Sequence, residues 1–281
     1  MPRLFIFGLG FSGRVVAARM LAEGWEVAGT TRTGEVAGLP GLRQFVFDRD
    51  HPLPADALAG TTHLLSAVPP DAAGDPVLEA VGELVGGLDL AWAGYLSTTG
   101  VYGDRNGGWV DEDSDLRPTG DRSRRRVAAE AAWRASPLPV HVFRLAGIYG
   151  PGRSAIDAVR AGTAQRVVKP GQVFGRIHVD DVAQVVRASM ARPRPGAVYN
   201  LADDDPAPPG DVVLEACRLL GVEPPPELPW DEARHRLSSM ALSFFADNKR
   251  VSNRRIKSEL GVTLRHPSYR EGLAAILAAG G

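Results

Sequence analysis

Three glycines at fixed spacing follow a short apolar run, Phe5-Ile6-Phe7-Gly8-Leu9-Gly10-Phe11-Ser12-Gly13. The spacing suits a pyrophosphate. Gly8 makes a tight turn out of a strand, Gly10 keeps a Cβ away from an approaching phosphate, and Gly13 lets a helix pack closely on that strand. A helix from about Arg14 to Glu23 offers unpaired N–H groups and partial positive charge at its start, so Phe11 and Ser12 join the glycines as expected phosphate contacts. A glycine triplet alone also makes an ordinary strand-to-helix turn. Here an apolar strand precedes it and a second, Trp25 to Thr30, closes a βαβ unit of about 30 residues, which favours a dinucleotide.

The second strand is followed by Thr31-Arg32-Thr33. An acidic residue about 20 positions beyond the glycines accepts from a ribose 2′-OH, whereas an arginine there accommodates the 2′-phosphate of NADP. Arg32 is either that clamp or a solvated loop arginine. Its place over the expected adenosine ribose favours the clamp, and NADP over NAD. Asp48 ends a short strand (Phe45-Val46-Phe47) and either flanks the adenine or serves as a turn residue. Ala67-Val68-Pro69 ends a fourth strand where a cofactor would cross the carboxyl edge of a sheet. Leu145, ending a sixth strand, completes the expected cofactor contacts.

The elements that would position these residues alternate apolar strands with helices, which argues for an α/β fold built on a doubly wound parallel sheet. Helices are expected from about Pro76 to Gly86, from Asp121 to about Ala135, from Arg153 to Gly162 and from Ser252 to Leu260, and strands at Ala93–Ser97, Val140–Leu145 and Val198–Ala202. Proline-rich pieces (Pro206 to Pro209, Pro224 to Pro229) separate short helices near the end. The expected division is a Rossmann domain of residues 1–150 plus 176–202, with a small substrate-binding subdomain of 151–175 plus 203–281.

The 281 residues carry 32 basic and 33 acidic groups, so no overall field favours nucleic acid or an acidic membrane. A single cysteine, Cys217, excludes an intrachain disulfide framework, and no apolar run approaches the ~20 residues of a membrane span. A cytoplasmic location is expected. No cluster of His, Cys, Asp and Glu with metal-binding spacing is seen, so no metal is expected. His63, at a strand start, reads as a capping or packing residue and not as a ligand. His178 ahead of Asp180-Asp181 reads as a helix start, with the carboxylates as caps and the imidazole packed beside them.

The series Gly8-x-Gly10-x-x-Gly13, Ser97-Thr98-Thr99-Gly100-Val101-Tyr102-Gly103-Asp104, Arg144 through Tyr149-Gly150-Pro151-Gly152, His178-Val179-Asp180-Asp181 and Tyr199-Asn200 resembles the extended short-chain dehydrogenase/reductases, the epimerase and dehydratase superfamily. The resemblance covers nearly the whole chain. It implies a Rossmann domain with a smaller C-terminal substrate domain, substrates that are often nucleotide sugars, and a Ser/Thr-Tyr-Lys catalytic set, with Thr98 as the Ser/Thr. Counting back from Glu130, however, puts Arg122 at the tyrosine position and Arg126 at the lysine position. An arginine stays protonated and cannot exchange a proton near neutral pH. The chain thus resembles an atypical branch lacking the standard tyrosine.

Tyr102 and Tyr149 are the other phenols near the expected cleft, although aromatic residues at strand ends usually pack. The Arg122 to Arg126 run is either an anion site or a solvated helix face, and Arg250 either binds an anionic group or lies free on the surface. Two functions stay open. One is an NADP-favouring epimerase/dehydratase-like oxidoreductase for a small-molecule substrate, anionic or nucleotide-linked. The other is a non-catalytic NADP-binding sensor. The oligomeric state is left open.

Overall fold

The computed structural model describes residues 1–34, 38–54 and 56–280. From the N-terminus, β1 (Arg3–Phe7) leads into α1 (Phe11–Ala22), and β2 (Glu26–Thr31), β3 (Arg43–Val46) and β4 (His63–Ser66) follow. Then come α2 (Pro76–Gly86), β5 (Trp92–Thr98), β6 (Trp109–Val110), α3 (Asp121–Ala135), β7 (Val140–Leu145) and β8 (Gly147–Tyr149). The second half holds α4 (Ala155–Arg160), β9 (Arg166–Val168), β10 (Arg176–His178), α5 (Val179–Ala191) and β11 (Val198–Leu201). It closes with α6 (Pro209–Leu220), β12 (Glu227–Pro229), α7 (Trp230–Arg236), α8 (Ser239–Phe245), β13 (Arg250–Val251), α9 (Arg254–Leu260) and α10 (Tyr269–Ala278).

Seven of the strands form one parallel sheet in the order β11-β7-β5-β4-β1-β2-β3. Its strands are apolar on both sides because helices cover both faces, and all six residues of β7 are buried. One face packs Val16, Met20, Val182 and Val186 from α1 and α5, and the other packs Val77, Val81 and Trp133 from α2 and α3. Asp75 ties the second pair of helices together. One of its oxygens caps α2 at Val77 N (3.0 Å) and Leu78 N (3.1 Å), and the other accepts from Trp133 Nε1 (2.9 Å).

From β1 the chain builds outward through β2 and β3, then returns to place β4 on the opposite side of β1. That reversal opens a crevice beyond the carboxyl ends of β1 and β4, where open α/β sheets bind ligands. Beyond the sheet, three two-stranded parallel pairs (β10 with β8, β12 with β9, β13 with β6) stitch the C-terminal segments to the cleft side.

Several boundaries move from their sequence expectation. The helix expected from Arg153 starts at Ala155, because the Ser154 side chain caps it by accepting from Asp157 N (3.3 Å). The helix expected from Ser252 starts at Arg254, because Arg250–Val251 pairs with β6 and Ser252 N donates to Val110 O (2.8 Å). Residues Ile256, Leu260, Val262 and Leu264 pack in the main core with α5, so this part of the expected subdomain rests on the Rossmann sheet's own helices. Among the described residues, no helix is long and apolar enough to cross a membrane.

Candidate cofactor and active site

The glycine loop leaves β1 at the reversal point. Gly8 sits at φ +91°, a conformation that side chains rarely adopt, and its N–H donates to Thr30 Oγ1 (3.0 Å) while Leu9 N donates to Thr30 O (2.7 Å). A Cβ on Gly13 would lie 2.2 Å from the Gly8 carbonyl oxygen, whereas one on Gly10 would meet nothing within 4 Å. Gly13 therefore serves the packing of α1 on β1, and Gly10 faces open space. No side chain caps α1, so the amides of Phe11, Ser12 and Gly13 stay available to an anion.

Around this loop, Ala67 N donates to Phe7 O (2.8 Å), and Val68 packs against Gly8 while Pro69 is exposed. Arg32 is exposed at the end of β2. Asp48 is occupied by its own turn: Oδ1 accepts from Asp50 N and His51 N (2.9 Å each) and meets His51 Nδ1 at 2.8 Å. That imidazole contact holds its carboxyl below the usual range. The Leu145 side chain is 4% exposed and belongs to the core, which leaves its main chain as what it offers a ligand.

At the end of β5, Thr98 Oγ1 accepts from Gly100 N (3.1 Å), capping a single 3₁₀ turn at Thr99–Tyr102. A Cβ on Gly100 would lie 2.8 Å from Ser123 Oγ, so the first turn of α3 is seated directly against this turn. Arg122 is exposed there. Arg126 is not free. Its Nη1 donates to Leu96 O (2.6 Å) and Tyr95 OH (3.1 Å), with its guanidinium 5.6 Å from the Tyr95 ring centroid.

Tyr102 is taken by the core instead of the cleft. It is fully buried, donates its hydroxyl to Asn200 Oδ1 (2.7 Å) and accepts from Arg144 Nη1 (2.9 Å). Burial pushes its phenol up, so it is a poor proton exchanger. Tyr149 is also buried, donates to Ser268 O (3.3 Å), and is shifted upward by burial beside Asp203 and Asp181.

No family model matches the chain. It is 31% identical to Protein YeeZ of Escherichia coli strain K12, over 95% of this chain and 97% of that one. A functionally unknown conserved protein of Silicibacter pomeroyi DSS has a TM-score of 0.91 at 49% identity, covering 100% of this chain and 99% of that one. A candidate NAD-dependent epimerase/dehydratase of Methylobacillus flagellatus superposes at 0.76 with 25% identity, covering 99% and 98%. The chain belongs to the extended short-chain dehydrogenase/reductases. MoeE5, solved with UDP-glucuronic acid and NAD, shares the fold with a TM-score of 0.78 at 21% identity, over 97% of this chain and 96% of that one.

Sequence alone did not pair the two residues at the head of the cleft network. Arg144 and Glu130 form a buried pair, 3% exposed each, with Nη2 to Oε2 at 2.8 Å and Nε to both carboxylate oxygens at 3.2 Å. Ser97 donates to the same carboxylate, and Asn200 N donates to Glu112 Oε1 (2.8 Å). The signal available was Glu130 itself, an acid on the helix face turned to the strands. Its partner lies 14 residues on in a different element, and periodicity does not pair the two.

His178 differs from its expected role. Its own Nδ1 caps α5, accepting from Asp180 N (3.2 Å), while Asp181 accepts from Arg265 N (2.7 Å) and His266 N (3.0 Å) and so anchors a distant loop. The fold thereby brings ligand atoms of His178, Asp180 and His266 within 4.8 Å of one another, a grouping that sequence spacing hid. The two imidazoles touch, with centroids 4.0 Å apart, closer than the roughly 5 Å that two imidazoles on one tetrahedral metal leave, and Nδ1 is already committed. This geometry is a helix cap with two touching rings tilted at 49° to each other.

Facing the C-terminal segments, Arg166, Lys169, Gln172 and Arg250 line a cavity of about 350 Å³. Arg166 is paired with Glu227 (2.8 Å) and Lys169 Nζ donates to Phe245 O (2.6 Å). Arg250 Nη1 donates to Gly107 O, which fixes the guanidinium at the cavity wall.

Proposed function

We propose that the protein is an NAD(P)-dependent epimerase/dehydratase-like oxidoreductase that favours NADP and acts on a small anionic or nucleotide-linked substrate. The observation that carries this reading is the glycine turn at the reversal point, with an uncapped helix start and open space over Gly10. Gly8, Gly10, Phe11, Ser12 and Gly13 would hold the pyrophosphate through main-chain groups. Ala67, Val68, Pro69 and the main chain of Leu145 would flank the cofactor along the sheet edge. Asp48 would shape the adenine end through its turn, and Arg32 would take the 2′-phosphate.

When bound, the nicotinamide supplies a carbon that gives or accepts hydride. The Thr98 hydroxyl would orient the reacting oxygen, and Arg122 would stabilise negative charge on it while keeping its own proton. The proton must then come from water or from the substrate. The Arg250 cavity, where Arg166, Lys169 and Arg250 outnumber Asp211 and Glu227, supports an anionic substrate. MoeE5 with its UDP-glucuronic acid gives the nucleotide-linked alternative.

The second reading, an NADP-binding sensor without turnover, is favoured by Arg126 being pinned to Leu96 and by the burial of both tyrosines. Turnover of bound cofactor in the presence of metabolite pools separates it from the first. For cofactor choice, a charge-assisted contact at Arg32 contributes about 1.5 to 3 kcal/mol, tenfold or more in affinity. Calorimetric titration should show NADP binding at least tenfold more tightly than NAD, with Arg32→Ala closing the gap. Equal affinities in the unmodified protein would overturn the NADP preference.

A further inference from the structure

We propose that Arg153, from the turn that opens the C-terminal segments, is a second cationic contact for the cofactor's pyrophosphate. The inference rests on the dinucleotide reading above and adds a residue to that site from outside the glycine loop.

The turn after β8 is pinned at both ends. Gly150 N donates to Arg153 O (3.2 Å) and Arg153 N donates to Gly150 O (3.0 Å), with Gly152 at φ +74° between them. From this fixed base the Arg153 guanidinium lies 5.5 Å from the ring centroid of Phe11. Phe11 is the first residue of α1, and its amide is one of the uncapped donors at which a phosphate would sit. The approach depends on Gly150. A Cβ there would lie 3.2 Å from Phe11 Cζ and 2.6 Å from Val179 Cγ1, so any side chain would push the turn off the helix start.

The guanidinium is exposed, and among the described residues it forms no ion pair. A ring face holds the planar cation but consumes none of its N–H donors. Arg153 is thus a charged group held at the helix start with its donors unspent, which is what bidentate capture of a phosphate requires.

The test separates the two ends of the cofactor. NADP, NAD and 2′-AMP, which lacks a pyrophosphate, are titrated by calorimetry against the unmodified protein, Arg153→Met, Arg153→Lys and Arg32→Ala. Arg153→Met should weaken NADP and NAD alike by about tenfold. It should leave 2′-AMP and the melting temperature unchanged, and Arg153→Lys should recover most of the loss. Arg32→Ala should weaken NADP and 2′-AMP and spare NAD. Unchanged NADP affinity in Arg153→Met, or an equal loss for 2′-AMP, overturns the assignment of Arg153. Absence of dinucleotide binding by the unmodified protein overturns the functional reading itself.

Discussion

Gly13 and Gly10 differ in what a methyl group would meet, and that difference divides packing from binding at single-residue scale. A Cβ at 13 would collide with a carbonyl oxygen at 2.2 Å, and neither α1 nor β1 can shift without breaking the sheet's central register. Gly13→Ala should therefore cost about 3 kcal/mol despite alanine's better helix propensity, read as a lower urea midpoint at unchanged slope. Gly10→Ala has room and a negative φ, so stability should hold while NADP affinity falls at least tenfold. Equal destabilisation by the two would contradict the division. The glycines were legible because their spacing is local. The fate of Tyr102 was not, since its partner Asn200 lies 98 residues away and the hydrogen bond exists only once β11 returns to the sheet.

Elements whose signals are internal were read closely: α2 between Asp75 and its glycines, α3 before Ser136-Pro137, and the apolar β7. The two- and three-residue strands carried no such signal. β12 ends at Pro229 inside a proline-rich piece and forms only because β9 lies beside it at an edge, where a missing N–H is tolerated. His63 in β4 shows how an element sets a titration. Its ring sits between Trp25 (4.7 Å) and Trp92 (6.5 Å), with Thr62 Oγ1 2.9 Å from Nδ1. Burial first, then the Arg187 charge, lowers its pKa to about 4, against about 6.5 when unfolded. The unfolded chain thus binds a proton between pH 6.5 and 4 that the folded chain refuses. The stabilisation is fully present above pH 6.5 and is lost as pH falls through that window. With the ring half-buried, the loss should be about 1 to 2 kcal/mol by pH 5. Melting temperature against pH should be flatter in this window for His63→Gln, though still sloping, because buried His141 and His178 shift the same way. An unaltered slope would contradict the neutral assignment.

At the scale of the whole molecule, the alternation of apolar strands and helices was enough to foresee the doubly wound sheet, because each strand must be covered on both faces. The return of α9 and the loop through Leu264 to the main core was not foreseen, since proline-rich composition marks separations and not where the next helix docks. The sheet reversal, the open glycine loop and the turn at Thr98 now lie along one edge of the fold. On the proposed reading Arg122 stands at the tyrosine position, where a guanidinium is no proton exchanger, and Tyr102 and Tyr149 are buried. General acid/base catalysis contributes about 10² to 10⁴ in rate, so hydride transfer at this edge should be slow with substrates that need a proton from the protein. The direct measurement is nicotinamide absorbance in a screen of nucleotide-linked and small anionic substrates, for the unmodified protein and for Arg122→Ala. Tight NADP binding is predicted, with turnover at least a hundredfold below an ordinary enzyme rate and a further loss in Arg122→Ala. Turnover at an ordinary rate that Arg122→Ala leaves unchanged would contradict it.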